Sequence, residues 1–518
     1  MEDRDYRRRR LTAVGKLLLG IDVGTSAVKA GIFDETGRLL GLGRSPYATE
    51  APRPGWAQCD PELWWQGAVD ALRKAAGEAR VDPKDITAAG VGVLFPAVVL
   101  LDENARPLYP AILYCDQRSL AQVRGIERAI PRDEYESVIG NTLVPGTCAA
   151  TSMAWLRDEE PAAYGSARVI GFANTFVTSR LTGAFATDPS MAALSGLVDI
   201  RDPGQWSTSL CRRLDIDPDR LPRIAGSAEP VGEVTAAAAR ETGLAPGIPV
   251  VAGAGDVPVS ALGTGASSSD TAAYMAGSTD CVSIPMPGPT QDRRWVNCAY
   301  IPEGVWLAIG TTTSSGVSVE WFVREFIGSG ESHGLERMTR LASSSPPGSG
   351  RVLYLPYLQG ERTPVWDPLA RGVFIGLTAS TTRADLARAV FEGTAFGLRH
   401  VVESAESATG VPVKQIRAVG GGTGNPLWNR IKADVLKRDI HVLEFQETGT
   451  LGAALLAGLG CGVHSSFDAA VETAQQVART APVRHDPARA PLYDELFGLY
   501  TRIHEGTREI SHALAGGD

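Results

Sequence analysis

The sequence predicts an α/β protein of two lobes that meet near residue 262. An apolar strand, a turn of small residues and a second strand follow one another at 17–33, and the same order returns at 271–284. Helical patterns follow these hairpins, over 120–245 and again through the last third of the chain. Because no GxGxxG turn joins the first strand to a helix, a Rossmann fold is not expected.

The N-terminal lobe, expected over residues 16–262, begins with antiparallel hairpins and a capped helix. Its strands are short apolar runs separated by turn-forming residues. Asp60 before Pro61 supplies a side-chain cap and a first helical residue that needs no amide hydrogen bond. The predicted strands are Leu17–Asp22, Val28–Phe33, Leu39–Gly43, Ile86–Val93, Val98–Leu101, Ala111–Tyr114 and Val250–Gly255.

The C-terminal lobe, expected over residues 263–518, repeats the hairpin and then becomes mainly helical. Apolar residues recur at helical spacing over Asp385–His400, and the small residues of Thr448–Gly460 predict a helix that packs very closely. The run Ser343–Gly350 is rich in serine, proline and glycine and predicts a surface loop. The predicted strands are Thr271–Met275, Cys281–Ile284 and Val305–Ile309.

Composition narrows the class of protein. With 50 basic and 59 acidic residues the formal net charge is −9, so no general attraction to nucleic acid or to an anionic membrane is expected. No apolar stretch is long enough for a membrane span. The seven cysteines form no CxxC pair, which is typical of a protein of the reducing cytoplasm. Residues 1–15 are very basic and are expected to be a disordered leader.

Two turns have the composition of phosphate-binding loops. In Asp22–Ser26 a carboxylate ends an apolar strand, and a glycine and two hydroxyl residues follow it. Free amides in such a turn can hold a phosphate, while the carboxylate can reach a Mg²⁺ ion. Gly277–Asp280 occupies the same place in the second hairpin. Either turn alone is equally consistent with an ordinary hairpin, but the duplication favours a pair that holds a triphosphate from two sides.

A third candidate motif is Gly253–Asp256, where a carboxylate follows two glycines at the end of a strand. Glycines permit a close approach of ligand, and a carboxylate can accept the proton of an alcohol that attacks a phosphoryl group. The alternative is that Asp256 only caps the helix that follows.

A glycine-rich run, Gly420–Asn425, lies between the predicted strand Ile416–Val419 and a helix that begins at Pro426. Exposed backbone of this kind suits a flat ligand such as an adenine–ribose unit. The alternative is a flexible loop.

Taken together, these motifs resemble the FGGY family of carbohydrate kinases, within the actin-like ATPase superfamily. The strongest match is Gly372–Leu377, followed by Asp385-Leu386 and then Ala389–Glu392. Arg180–Gly183 and the motifs described above fall in the family's order and spacing. The resemblance covers roughly residues 16 to 510, and as a set these motifs are highly specific.

The resemblance implies two actin-like (ASKHA, ribonuclease H-like) lobes with a catalytic cleft between them, ATP and Mg²⁺ as the nucleotide and metal, a small sugar or polyol substrate, and a homodimer. It implies that Asp256 is the catalytic base and that Asp22 and Asp256 lie near the metal. The residues implied at the phosphates are Gly24, Thr25, Ser26, Gly277, Ser278, Thr279 and Gly316, and those implied at the adenosine are Gly421, Gly422 and Asn425.

The chain departs from the family where the sugar is expected to bind. Xylulokinases, the branch that it resembles most, carry Gly-Gln-Met-His where this chain has Val93–Pro96. The positions implied at the substrate are Leu94, Phe95, Pro96, Tyr114, Asp116 and Val257. An apolar wall would leave sugar hydroxyls unpaired, at about 1–3 kcal/mol each. Either the substrate differs from D-xylulose, or other loops supply the polar contacts.

Two other functions are consistent with the fold. A non-catalytic sugar- or nucleotide-binding regulator on a kinase scaffold would be expected to lack the base or a phosphate turn, yet all of these are present. A chaperone or filament ATPase of the same superfamily would not be expected to carry the Gly372–Leu377 signature.

Overall fold

The computed structural model describes residues 15–328 and 333–516. The predicted basic leader therefore lies outside the described residues, apart from Gly15. The N-terminal part contains β1 (Leu17–Val23), β2 (Ala27–Asp34), β3 (Leu39–Pro46), β4 (Gln58–Cys59), α1 (Pro61–Ala79), β5 (Ile86–Val93), β6 (Ala97–Leu101), β7 (Ala111–Leu113), α2 (Leu120–Ala129), α3 (Arg132–Ile139), α4 (Ala149–Glu159), α5 (Pro161–Ser166), β8 (Val169–Phe172), α6 (Ala173–Thr182), β9 (Ala186–Thr187), α7 (Pro189–Ala193), α8 (Thr208–Arg213), β10 (Arg223–Ile224), β11 (Pro230–Glu233), α9 (Ala236–Thr242), β12 (Pro249–Val251), β13 (Ala254–Gly255) and α10 (Asp256–Thr264).

The C-terminal part begins with the second hairpin. It contains β14 (Thr271–Ala276), β15 (Asp280–Met286), β16 (Val296–Ala299), β17 (Trp306–Thr311), α11 (Gly316–Phe322), α12 (Gly334–Ser343), β18 (Leu353–Leu355), β19 (Val373–Ile375), α13 (Arg383–Thr409), β20 (Gln415–Val419), α14 (Pro426–Leu436), β21 (Ile440–Leu443), α15 (Thr448–Gly460), α16 (Phe467–Val477), β22 (Thr480–Val483) and α17 (Ala490–Ala515).

The two large sheets repeat one topology. In the first, strands run in the order β11-β12-β5-β1-β2-β3, and in the second in the order β16-β17-β15-β14-β20-β21-β22. Each sheet has an antiparallel hairpin whose first strand also pairs in parallel with a later strand, β1 with β5 and β14 with β20. This repeat is the arrangement that the two-lobed actin-like prediction requires.

The helix α15 joins the two lobes, because it lies between β21 and β22 of the second sheet in the chain but packs on β1 and β5 of the first. A Cβ atom at Gly20 of β1 would collide with the carbonyl oxygen of Thr450, and one at Gly90 of β5 would collide with that of Ala453. On its other side, Gly452 leaves no room for a Cβ against the Val259 carbonyl of α10. Backbone-to-backbone contact of this kind is possible only where side chains are absent.

The predicted elements are present, with two informative differences. The strand expected at Val250–Gly255 divides into β12 and β13, because Gly253 between them has a φ of +75°. The surface-loop prediction for Ser343–Gly350 is wrong for Ser345 and Ser349, which are buried. Their hydroxyls donate to Asp385 at 2.6 Å and to Glu392 at 2.7 Å, so the segment satisfies acids of α13 and does not simply face solvent.

In the part of the chain that the structure describes, no helix combines the length and the apolar character needed to cross a membrane.

We expect Gly452→Ala to lower the free energy of unfolding by about 1–3 kcal/mol, since the added methyl group overpacks the α15–α10 contact. Gly77→Ala is the matched control, because Gly77 also lies inside a helix but has no atom within 4 Å of the place that the added methyl group would take; it should raise stability by about 0.5–1 kcal/mol. Urea denaturation of both variants measures the difference, and equal effects would contradict the close-packing interpretation.

Candidate active site

Hydrogen bonds fix the backbone of the first glycine turn, Gly24–Ser26, and leave its hydroxyl side chains exposed. The Gly24 amide donates to the Ala27 carbonyl at 3.1 Å, and the Tyr47 amide donates to the Ser26 carbonyl at 3.1 Å. The Tyr47 hydroxyl donates to the Gly24 carbonyl. Thr25 and Ser26 are exposed, so their hydroxyls are available to a ligand.

The second turn is built in the same way. Gly277, Ser278 and Thr279 are exposed, and the Gly277 amide donates to the Thr279 carbonyl at 3.1 Å. Behind them, the Gly316 amide donates to the Gly277 carbonyl at 3.2 Å, and the Val317 amide donates to the Ser278 carbonyl at 3.1 Å. Gly316 therefore supports this turn from the N-terminus of α11, with its own amide already engaged.

Asp22 and Asp256 lie at the same end of the first sheet. Asp22 pairs with Gly92 in the β1–β5 ladder, and β13, which immediately precedes Asp256, also ends beside Gly92 and Val93. Asp256 begins α10, and its carboxylate accepts the Val257 amide at 2.9 Å. The carboxyl ends of parallel strands thus bring both acids to one edge, as in other α/β sites.

The pKa values of both carboxyl groups are raised toward neutral pH. Burial raises the pKa of Asp256 to about 7, and the charge of Asp22 adds to this effect. Burial raises the pKa of Asp22 to about 6; Lys29 opposes this shift and Glu447 reinforces it. The ammonium group of Lys29 donates to Glu447 at 2.7 Å, so Asp22 does not have this cation to itself.

The two acids fit a Mg²⁺ site, because a hard divalent cation would offset the lost hydration and the repulsion from nearby carboxylates that raise the pKa of both carboxyl groups. Within the described ranges, no group of three or more histidine, cysteine, aspartate or glutamate residues is arranged to hold a metal. A pair of carboxylates completed by phosphate and water oxygens is how Mg²⁺ is usually bound beside nucleotides.

A buried acid that sequence reasoning missed fixes the backbone before Asp256. Asp188 caps α7 through the Ser190 amide at 3.0 Å and also accepts the Ser227 hydroxyl at 3.0 Å. The Ser190 hydroxyl in turn accepts the Gly255 amide at 3.0 Å. Asp188 before Pro189 is a recognisable helix start, but its contact with Ser227 and its link to Gly255 depend on the fold.

The glycine-rich run after β20 forms an open platform beside α14. A Cβ at Gly421 would have no atom within 4 Å, whereas a Cβ at Gly422 would lie 3.1 Å from that of Ala276. Asn425 is buried; its side chain accepts the Trp428 amide at 3.1 Å and donates to the Thr339 hydroxyl at 2.8 Å. Asn425 therefore caps α14 and shapes the platform.

Only part of the predicted substrate wall borders the cleft. Leu94 and Pro96 are buried, while Phe95 and Val257 are half-buried and pack against one cluster that includes Cys298. The structure therefore leaves Phe95 and Val257 as the apolar surface beside Asp256.

Asp116, by contrast, is engaged inside the N-terminal lobe. Its carboxylate accepts the Ala57 amide at 2.6 Å and pairs with Arg118 at 2.8 Å. The guanidinium of Arg118 stacks 3.8 Å from the Trp56 ring centre. Asp116 thus has the contacts of a structural residue.

Two further side chains lie in the region around Asp256. Tyr114 of the N-terminal lobe was predicted from the sequence, whereas Arg362 of the C-terminal lobe was missed. Burial raises the pKa of Tyr114, and Cys115, Asp256 and Cys281 add to the shift while Arg362 opposes it. Across residues 15–328 and 333–516, the guanidinium of Arg362 has no hydrogen-bond or ion-pair partner. A half-buried, unpaired cation near Tyr114 and Cys281 is available to an anionic ligand.

The loop that carries Arg362 is fixed beside the second turn. The Glu361 carboxylate accepts the Thr313 amide at 2.8 Å, the Thr313 hydroxyl at 2.7 Å and the Arg362 amide at 2.7 Å. The Thr363 amide donates to the Thr311 carbonyl at 3.0 Å. Since the next residue, Thr312, bonds to Asp280 at the end of the second turn, the loop and the turn form one unit.

Two repeated sheets that each carry an exposed glycine turn, a carboxylate pair and a glycine platform define a two-lobed phosphotransferase of the actin-like class. Residues 17–263 match the N-terminal domain of the FGGY family of carbohydrate kinases, and residues 272–461 match its C-terminal domain. The chain belongs to this family. It is an ATP-dependent sugar kinase that works with Mg²⁺, and the two-lobed actin-like fold predicted from the sequence is confirmed.

Similar proteins cover nearly the whole chain. The xylulose kinase of Lactococcus lactis subsp. lactis is 30% identical over 502 residues, which are 96% of this chain and 98% of that protein. The L-xylulose/3-keto-L-gulonate kinase of Escherichia coli K12 is 30% identical over 495 residues, covering 94% and 96%. The crystal structure of xylulose kinase from Rhodospirillum rubrum superposes with a TM-score of 0.88 at 27% identity, covering 96% and 100%.

The raised pKa of Asp256 predicts how stability depends on pH in the protein free of Mg²⁺ and nucleotide. Between the ordinary aspartate value of about 4 and about 7, the folded state keeps a proton that the unfolded chain has lost. The free energy of unfolding should therefore fall as pH rises through this window, and Asp256→Asn should reduce that fall by about 1 kcal/mol or more.

Chemical denaturation at pH 5 and pH 8 tests this expectation. Asp468→Asn, which changes an exposed aspartate of α16, should behave as the unmodified protein does. An unchanged slope in Asp256→Asn would contradict the assigned pKa.

Proposed function

We propose that Asp256 is the general base of the phosphoryl transfer and that Asp22, with Asp256, holds the Mg²⁺ ion. The observation that carries the proposal is the carboxylate pair at the end of the first sheet, beside a turn with exposed hydroxyls. A carboxylate fixed at this strand end can accept a proton from a bound alcohol, and in such transfers positioning and charge matter more than base strength.

In the proposed reaction, a substrate hydroxyl loses its proton to the Asp256 carboxylate. Its oxygen forms a bond to the γ-phosphorus of ATP while the bond from that phosphorus to the β–γ bridging oxygen breaks, so that ADP leaves. The exposed turns, Gly24–Ser26 and Gly277–Thr279, contact the phosphates from opposite lobes, and the platform at Gly421 and Gly422 takes the adenosine. Mg²⁺, when bound, supplies charge neutralisation at the phosphates.

We assign Arg362 to the transferring phosphoryl group. Its loop is bonded to the strand end beside the second turn, and its guanidinium lacks a protein partner among the described residues. A fixed cation that faces developing charge stabilises the transition state more than the ground state. Arg362 also supports the interpretation that other loops supply polar contacts beside the apolar wall.

For the substrate, we propose a small open-chain sugar or polyol of the kind named for the similar kinases, with D-xylulose and L-xylulose first among those to be tested. Phe95 and Val257 offer the acceptor apolar surface, and Tyr114 offers a hydroxyl. We further propose a cytoplasmic homodimer that binds no nucleic acid, with residues 16–262 contributing the base and residues 263–518 the nucleotide platform.

Asp256→Asn should lower kcat by about 100- to 10,000-fold, while the nucleotide still binds through the two turns and the platform. Coupled ADP release against a panel of ketoses, aldoses, aldonates and polyols, with Asp468→Asn as the control, makes the measurement and names the substrate class. ATP binding without stimulation by any acceptor would favour the alternative, a non-catalytic regulator. A micromolar KM and high turnover with D-xylulose would exclude an altered substrate.

Arg362→Gln should lower kcat by about 100-fold or more with little change in the KM for either substrate, because the lost contact belongs to the transition state. Arg371→Gln is the control, since Arg371 lies on the same segment but donates to the Ala370 carbonyl at 3.0 Å. If Arg362→Gln raised the KM for the sugar and left kcat unchanged, the residue would bind the acceptor instead.

A further inference from the structure

A lysine and an aspartate are buried behind the second phosphate turn without touching each other. Lys432 of α14 and Asp280 of β15 are each 1% exposed. In the portion of the chain described, the Lys432 ammonium and the Oδ2 atom of Asp280 have no hydrogen-bond partner. Burial of charge without such partners is costly, so the arrangement calls for an explanation.

Two aromatic rings hold the ammonium in place. It lies 3.8 Å from the ring centre of Trp428 and 5.0 Å from that of Tyr274, where the negative faces of the rings offset part of the lost hydration. The Tyr274 hydroxyl donates to Asp280 at 2.9 Å. Tyr274 therefore lies between the two charges: its ring contacts the Lys432 ammonium, and its hydroxyl contacts the Asp280 carboxylate.

Each of the two buried groups favours the charged form of the other. Burial lowers the pKa of Lys432 to about 8, and the charge of Asp280 limits that fall. Burial also raises the pKa of Asp280, while Lys432, followed by hydrogen bonding, opposes the rise. Asp280 from β15 and Tyr274 from β14 are the titratable groups that face the ammonium.

These residues connect the two halves of the nucleotide site. Asp280 directly follows the turn and pairs with Ala276 in the hairpin that carries it. Trp428 follows the Asn425 cap, and a Cβ at Gly422 of the platform would lie 3.4 Å from its ring. A chain of contacts thus runs from the platform through Trp428, Lys432 and Tyr274 to Asp280.

We infer that Lys432 is a positioning residue of the nucleotide site: held between the adenosine platform and the second phosphate turn, it neutralises the buried carboxylate of Asp280 directly behind the phosphates. This inference rests on the proposed nucleotide site. Without Lys432, Asp280 would repel the triphosphate at short range through a medium of low dielectric constant. Without both charges, the repulsion disappears.

Calorimetric titration with Mg-ADP tests the inference independently of the sugar and of Asp256. Lys432→Met should bind Mg-ADP about tenfold more weakly, Asp280→Asn at least as tightly as the unmodified protein, and the double variant close to it. In steady state, Lys432→Met should raise the KM for ATP with a smaller effect on kcat. A purely structural loss would not be reversed by removing a second charge.

The control is a second lysine–aspartate pair in the same lobe. Lys414 and Asp270 are separated by 3.3 Å, and their side chains are 75% and 36% exposed, so Lys414→Met should leave Mg-ADP binding unchanged. Unaltered Mg-ADP binding in a folded Lys432→Met protein would overturn the inference. Weaker Mg-ADP binding in Asp280→Asn would also overturn it, and this second test remains available if Lys432→Met does not fold. Absence of Mg-ADP binding in the unmodified protein would instead overturn the proposed nucleotide site.

Discussion

The contact of α15 with the N-terminal sheet determines where the groups of the active site lie. Gly20 and Gly90 let the helix backbone rest directly on β1 and β5, and Gly452 lets α10 approach from the other side. Residues just before α15 then reach both lobes: the Gln446 side chain accepts the Gly420 amide of the platform at 2.9 Å, and Glu447 accepts Lys29 at 2.7 Å. The nucleotide platform and the carboxylate pair are thereby joined through a single segment.

The same contact shapes the electrostatics of the cleft. A Cβ at Gly449 would lie 2.6 Å from the Asp22 carboxylate, so α15 shields Asp22 from solvent, and its raised pKa follows from that burial. Asp256 is raised further because Asp22 lies nearby. Close helix packing therefore stabilises the interlobe contact and also contributes to the raised pKa values of the two acids that we propose for the divalent cation and the proton.

The sequence predicted what is local and missed what depends on distant contacts. Strand–turn–strand patterns and helix starts such as Asp60-Pro61 are encoded in a few neighbouring residues, and they placed both hairpins and the exposed turns correctly. The link from Asp188 through Ser190 to Gly255 crosses 65 residues at its last step, and no local signal announces it.

Distant contacts also explain why individual residues of the predicted site have roles other than those expected from the sequence. Gly316 and Asn425 belong to the right elements, but their polar groups are engaged in supporting the turn and in capping α14. Arg362 belongs to a loop that Glu361 fastens to Thr313, so its place beside the cleft follows from tertiary structure alone. Motif position thus predicts which element borders a ligand, whereas the hydrogen-bond partners decide which atoms remain free to bind it.

The difference between a motif's position and its exposed atoms also explains how little of the predicted apolar wall can contact a substrate. An apolar lining costs binding energy only where it meets a hydroxyl, and of the run Leu94–Pro96 only Phe95 retains exposed surface. Polar groups face the cleft from elsewhere, namely the Tyr114 hydroxyl and the Arg362 guanidinium. In the proposed assignments, Tyr114 of the N-terminal lobe meets the acceptor and Arg362 of the C-terminal lobe meets the phosphoryl group. Closure of the lobes would then bring the two reacting groups together and exclude water from them.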